Sequence, residues 1–381
     1  MTRHSWADDF GPFNNRVWIN CAHQGPLPKV AVEAAKEALK WKIEPFHLDD
    51  ESFLKVPQHM KRVLGRLVNI PPDQIILSNS TSYGIHLLAN GISWKENDEM
   101  LLVNGDFPAN ILPWLFLKKQ GVKIRFIQPQ NSGLTVDDVA EQLTPSTKLF
   151  CTSWVNSFTG HAIDIHGIGN VCRERGIIFV VNGSQALGAR VLDLSASMID
   201  AFSCCGFKWL CGPYGTGFCW IKPEILKSLK YNQAYWLTMQ HGRSLNQMRE
   251  YELRNDLGAS AYDVFCTANF MNFMPWAASV EYLLEQGLDE IENYDNTLVS
   301  HFIEQLDRRK YELLSPPQGT GCSTLVLFSH NKANRNNYIY ETLRQNKIDI
   351  SLREGNLRIS PHLYNTTNDI DRLLSILDSL D

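Results

Sequence analysis

One lysine stands apart from the other cations of this chain. Lys208 lies in Gly206-Phe207-Lys208-Trp209-Leu210-Cys211-Gly212-Pro213, among aromatic, cysteine and glycine residues and without a charged neighbour. Most lysines are solvent-facing charges. An apolar setting lowers the pKa of the ammonium and leaves an amine able to attack a carbonyl and form a Schiff base. Further along, Leu352-Arg353-Glu354-Gly355-Asn356-Leu357-Arg358-Ile359-Ser360 carries two arginines. They can grip a carboxylate by bidentate pairing, or equally form a surface salt-bridge network with Glu354. The hydroxyl-rich run Ser78-Asn79-Ser80-Thr81-Ser82-Tyr83-Gly84 opens a helical pattern. That suits a phosphate, although Ser and Thr cap many helices with no ligand. Asn182-Gly183-Ser184-Gln185 follows the apolar run Ile177–Val181, where polar side chains either face a ligand or make a turn and a cap.

These segments fall at the ends of predicted strands. From about residue 60 to 220, β-rich runs alternate with amphipathic stretches: Gln74–Leu77, Glu99–Val103, Lys123–Ile127, Lys148–Thr152, Ile177–Val181, Ala201–Ser203 and Gly217–Ile221. This rhythm predicts a mostly parallel seven-stranded sheet covered by helices on both faces. Ligands of such sheets bind at the carboxyl ends of the strands. A long helix is predicted around Tyr262–Gln286, then a smaller α+β region with a strand at Ser323–Phe328 and a closing helix at Asp369–Leu380. The expected division is an N-terminal arm (1–22), a large domain (23–260) and a small C-terminal domain (261–381).

Composition narrows the function. At 381 residues with a net charge of −5, the chain has no basic footprint for nucleic acid, and no apolar run reaches membrane-spanning length. The first residues, Met1–Asp9, lack an apolar secretory segment, so a cytoplasmic setting is expected. Nine cysteines, an odd number, suit free thiols in a reducing compartment. Cys204, Cys205 and Cys211 lack a paired CxxC and a fourth ligand, so they read as buried structural thiols and no metal is expected.

Phosphate-binding hydroxyls, a polar strand end, a lysine on the next strand's exit and a C-terminal arginine are together what a lysine-bound pyridoxal 5'-phosphate (PLP) needs. The chain resembles the class V aminotransferase family, which includes cysteine desulfurases, kynureninase-like enzymes and isopenicillin N epimerase-like proteins. The resemblance runs from Trp18-Ile19-Asn20-Cys21-Ala22-His23-Gln24-Gly25-Pro26-Leu27-Pro28 to Tyr364-Asn365-Thr366 and is most specific over Phe207–Pro213. It implies an α/β PLP fold type I and a role for each matching position. Lys208 looks like the Schiff-base lysine and Cα proton shuttle, and Thr81 and Ser82 like the phosphate-binding pair. Phe107 falls where a ring stacks on the pyridine; Asn156 and Gln185 fall beside its phenolic oxygen. Thr267 resembles the residue that reaches a partner subunit's phosphate, which implies a homodimer with shared active sites. Arg358 looks like the substrate-carboxylate arginine, with Arg353 a second anion contact. His23, Gln24 and Trp236 are candidate pocket residues, alongside the more common role of side chains packed in a core.

Three positions depart from the family. Asn182 stands where an acid normally pairs with the pyridine nitrogen. An amide carries no charge, so the electron sink should be weaker. Cys205 and Phe207 replace a Ser and a His, which shifts phosphate holding to Ser82, Thr267 and backbone N–H groups. The cysteine-bearing loop of desulfurases is absent, because Arg353-Glu354-Gly355-Asn356 leads directly to Arg358; a persulfide-forming desulfurase is therefore not expected. The expectation is a PLP-dependent enzyme acting at Cα of an amino acid, as a lyase by β-elimination or as an epimerase. The alternatives are amino transfer to a 2-oxo acid and a PLP-binding protein that has lost catalysis.

Overall fold

The computed structural model describes residues 6–129, 133–230, 234–239, 247 and 249–380. The helices are α1 (Lys29–Ile43), α2 (Asp50–Val68), α3 (Thr81–Gly91), α4 (Leu112–Leu115), α5 (Val136–Gln142), α6 (Ile165–Glu174), α7 (Pro223–Ser228), α8 (Phe270–Gln286), α9 (Leu288–Gln305), α10 (Asn336–Gln345) and α11 (Thr367–Ser379). After a short β1 (Val17–Trp18) come the strands of the main sheet: β2 (Ile75–Ser78), β3 (Glu99–Val103), β4 (Lys123–Ile127), β5 (Thr147–Ser153), β6 (Ile178–Asn182), β7 (Ala201–Cys205) and β8 (Gly217–Ile221).

These seven strands run in the order β2-β8-β7-β6-β5-β3-β4. β8 is antiparallel to both β2 and β7, and every other pairing is parallel. The sheet is therefore mixed but mostly parallel, as the β-α-β rhythm predicts. Val180, Val181, Phe202 and Phe218 are fully or almost fully buried, which is why these strands read as unbroken apolar runs. The carboxyl ends of β5, β6 and β7 lie side by side, with Ser153 registered on Asn182 and Asn182 on Ser203.

A second sheet is formed by β9 (Tyr311–Leu313), β10 (Val326–His330), β12 (Ser351–Arg353) and β13 (Asn356–Ile359), while β11 (Ile348–Asp349) pairs with β1. Leu298, Phe302, Phe328, Ile359, Ile370 and Leu373 fill its core. Val17 and Ile19 belong to that core too, whereas Phe273, Trp276 and Val280 of α8 pack into the core of the main sheet. α9 contributes to both cores, Ile291 to the first and Leu298 to the second, and Leu325, Leu327, Leu363 and Tyr364 return to the first. The helix predicted from Tyr262 begins later, at Phe270. Asp263 is held by Lys61 and the Leu77 N–H, and Cys266 has a positive φ of 58°, which a helix cannot accommodate.

Candidate active site

A cavity of about 390 Å³ opens at the carboxyl ends of the central strands and receives segments from both cores. It is lined by Lys208, by Thr81 and Ser82, by Phe107, Asn182, Gln185 and Cys205, and by His23, Arg353 and Arg358. Those ten residues come from segments scattered through the chain, and the fold brings them to one place.

Lys208 follows β7 in a tight loop. Its ammonium lies 5.5 Å from the centroid of Phe107 and 6.0 Å from that of Phe207, and it makes no ion pair among the described residues. Burial pulls its pKa below the ordinary lysine value, helped by Arg358 and Arg353 and opposed by Cys205 and Cys204. The N-terminal segment presses on this loop: Gly25 N–H donates to Phe207 O at 2.9 Å, and a Cβ on Gly25 would sit 2.0 Å from the Lys208 carbonyl. Only glycine permits that approach.

Arg358 is 2 % exposed, on β13. It donates to Ser157 O at 3.2 Å and to Ser351 Oγ at 3.4 Å, while its buried Nε has no partner among the described residues. Burial, reinforced by Arg353, pulls its pKa down to about 9. A buried cation with an idle donor and no carboxylate is poised for an anionic ligand. β12 and β13 join through a two-residue turn, Glu354 and Gly355, both with positive φ. That turn leaves no room for a cysteine-bearing loop.

α3 begins at the same cavity. Its N-cap, Ser80, does not cap the helix with its side chain and instead donates to Asn79 Oδ1, and the Ser82 hydroxyl has no hydrogen-bond partner among the described residues. Free N–H groups and a hydroxyl at a helix start suit a phosphate. Thr81 is braced by a short hydroxyl contact with Ser184 and by Ser203 Oγ, which donates to its carbonyl at 2.8 Å. Phe107 forms one wall and stacks on Phe158 at 6.3 Å. Gln185 accepts from Trp209 Nε1 at 3.0 Å and donates to Ala22 O at 3.1 Å. It thereby joins the lysine loop to the N-terminal segment.

Asn182 ends β6 over a buried polar network. Its Oδ1 accepts from Ser184 N at 2.9 Å, and its Nδ2 donates to Asn110 Oδ1 at 2.9 Å. Asn110 donates to Asp106 Oδ2 at 2.9 Å and to Ser153 Oγ at 2.8 Å. These partners fix both amide orientations and leave Asn182 one N–H for a ligand.

Three expected site residues lie elsewhere. Asn156 turns away from the main cavity: its Oδ1 accepts from Phe158 N and Thr159 N, its amide donates to Gly105 O, and it lines a neighbouring pocket. Ser157 takes the place beside Arg358. Thr267 is buried away from the cavity and bonded to Tyr235. Trp236 is also away from it, while Gln24 lines it. Ser153, Ser184 and Tyr214 line the cavity without having been singled out. Ser184 stands between Asn182 and Gln185 and Tyr214 shortly after Lys208, so both lie in segments that the sequence marks, whereas Ser153 does not.

A family model described as aminotransferase class-V matches residues 28–373. The chain belongs to the aminotransferase class-V family. Among curated proteins it is 25% identical to an isopenicillin N epimerase of Streptomyces clavuligerus, over 96% of this chain and 94% of that one. It is 22% identical to a probable cysteine desulfurase of Methanothermobacter thermautotrophicus, over 98% and 96% of the two chains. A probable cysteine desulfurase of Xylella fastidiosa is 28% identical over 65% of this chain, a match that spans only 59% of that relative. Among solved structures, the cystine C–S lyase C-DES, bound to its product cysteine persulfide, superposes with a TM-score of 0.88 at 22% identity over 97% and 98% of the chains. The family and the α/β fold that the sequence pointed to both hold.

Proposed function

We propose that this chain is a PLP-dependent enzyme that acts at Cα of an amino acid, as a lyase or epimerase. One observation carries the reading: Arg358, a buried cation with an idle donor, opens onto the same cavity as the amine of Lys208. The donor set fits the cofactor, with the uncapped start of α3 and the Ser82 hydroxyl for its phosphate, Lys208 for its carbonyl carbon and Phe107 beside its ring. Bound there, PLP supplies a sink for the electrons released at Cα. Arg358 and Arg353 hold the substrate carboxylate and orient Cα. Lys208, whose pKa is pulled below the ordinary lysine value by burial and by the two arginines, takes and returns the Cα proton. Phe107 and Phe207 keep water from the amine. Asn182 offers an N–H and no charge, which favours lyase or epimerase chemistry over amino transfer, where a strong sink is needed. In a homodimer, Thr267 would serve the partner's site.

The relatives named above support amino-acid chemistry of this class. The test is product analysis with cysteine, cystine and alanine in the presence and absence of a 2-oxo acid. Release of pyruvate or racemised amino acid without an acceptor is the expected result. Amino transfer that depends on the 2-oxo acid overturns the lyase or epimerase reading. A protein that binds PLP and returns all substrates unchanged overturns the enzyme reading.

A further inference from the structure

Beneath the cavity, outside the residues that line it, lies a buried polar cluster built from the ends of the chain. Asp295 comes from α9, His362 from the turn after β13, Cys21 from the N-terminal segment and Cys211 from the lysine loop; all four are fully buried. His362 Nδ1 lies 2.6 Å from Asp295 Oδ2, and Nε2 lies 3.1 Å from the carbonyl oxygen of Trp209, the residue after Lys208. With Asp295 ionised, the carboxylate and the backbone carbonyl both accept, and an imidazolium satisfies both with its two N–H groups.

We propose that His362, held by Asp295, is a positioning residue for Lys208: its grip on the Trp209 carbonyl sets the turn from which the lysine amine enters the cavity. The turn is a demanding one. Cys211 adopts a positive φ of 48°, Cys211 N donates to Lys208 O at 2.9 Å, and Gly212 N donates to Gly206 O at 2.7 Å. The next two carbonyls, of Leu210 and Cys211, are both taken by Ser279 Oγ of α8, at 3.1 and 2.8 Å. His362 supplies the corresponding bond for Trp209 from the turn after β13. Arg358 precedes His362 on the same segment, so the contact also sets the separation between the lysine and the arginine across the cavity.

The charge on His362 is essential to this role. A neutral imidazole has one N–H and cannot donate to Asp295 and to Trp209 at once. The groups facing the ring are Asp295, Cys211, Cys21 and Tyr364, and Glu292 acts on Asp295 from the same helix. Burial alone pulls the imidazolium down, but Asp295 and Cys211 together lift it to about 10. Asp295→Asn, nearly the same shape, removes the larger of the two influences that retain the second proton and so weakens the hold on the Trp209 carbonyl.

The proposal deepens the reading of Lys208 given above, and its test is read on the amine itself. Any carbonyl adduct is released from the full-length protein with hydroxylamine. Acetylation by acetic anhydride is then followed lysine by lysine, by mass spectrometry, from about pH 6 to about pH 11. In the unaltered protein the Lys208 midpoint should lie below the ordinary lysine value. Asp295→Asn and His362→Leu should each raise it by about one unit or more, toward the value of exposed lysines. Asp263→Asn is the control, because it breaks a buried 2.8 Å ion pair with Lys61 away from the loop. It should lower the melting temperature and leave the Lys208 midpoint in place. If His362→Leu does not fold, the near-isosteric Asp295→Asn carries the comparison. An unmoved midpoint in folded Asp295→Asn overturns the proposal, as does an equal shift in Asp263→Asn. Failure of Lys208 as the cofactor lysine would appear separately, as a borohydride label on another lysine.

Discussion

Asn182 and Asn110 meet side chain to side chain at 2.9 Å, and that contact decides which way the Asn182 amide faces. Asn110 is itself committed to Asp106 and Ser153, so it presents its oxygen, and Asn182 must present its nitrogen. The position is built for an amide. Asn182→Asp would set a carboxylate against the Asn110 oxygen, close to the Asp106 carboxylate. A loss of about 1–3 kcal/mol is expected at neutral pH, read by chemical denaturation. The new acid would have a raised folded-state pKa, so the loss should shrink as pH falls toward the unfolded value. Undiminished stability at neutral pH would contradict this account of the network.

Lys208 should be the residue that holds the cofactor. Borohydride reduction of the yellow protein, followed by peptide mapping, should place the label on Lys208. Lys208→Ala should lower turnover by a factor on the order of 10³ or more, since proton transfer and nucleophile are lost together. A colourless protein would contradict the assignment at once.

Arg358 should trade stability for binding. Its unpaired buried charge is costly in the free protein, so Arg358→Met should raise stability in the absence of ligand by about 1 kcal/mol or more. The same change should raise KM for an amino acid by about 100-fold, with kcat less affected. Thermal melts and steady-state kinetics on one preparation read both.

The His362–Asp295 pair should appear in the alkaline limb of the stability profile. The folded-state pKa of His362 is raised to about 10, from an ordinary value of 6.5. Its contribution is therefore fully present below about pH 6.5 and lost as pH rises through about 10. Urea midpoints should fall across that window, and His362→Gln should flatten the fall.

Gly25→Ala tests the contact between the N-terminal segment and the lysine loop. Its Cβ would meet the backbone of Lys208 at 2.0 Å, which a flexible side chain cannot relieve. A loss of about 1–3 kcal/mol in stability is expected, together with weaker cofactor retention.

The sequence by itself determined the strands of the main sheet: β2, β3, β7 and β8 are buried along their whole length, while the edge strand β4 keeps Lys123 and Arg125 among its apolar residues. It also marked Lys208, a lysine without charged neighbours beside a glycine-rich turn, and the hydroxyl cluster that opens α3. Tertiary structure alone decided the rest. The start of α8 at Phe270 depends on Asp263 being drawn to Lys61, a partner far away in the chain. Asn156 was expected beside the cofactor, but it closes its own turn, because nearby backbone N–H groups compete for its oxygen. Arg353 and Arg358 read equally as a salt-bridge pair or an anion clamp until folding buried Arg358 without a carboxylate. Asp106, Asn110, Asp295 and His362 gave no local signal at all. Their roles come from hydrogen bonds that close only when β5, β6, α9 and the lysine loop are packed, and no local spacing encodes such contacts.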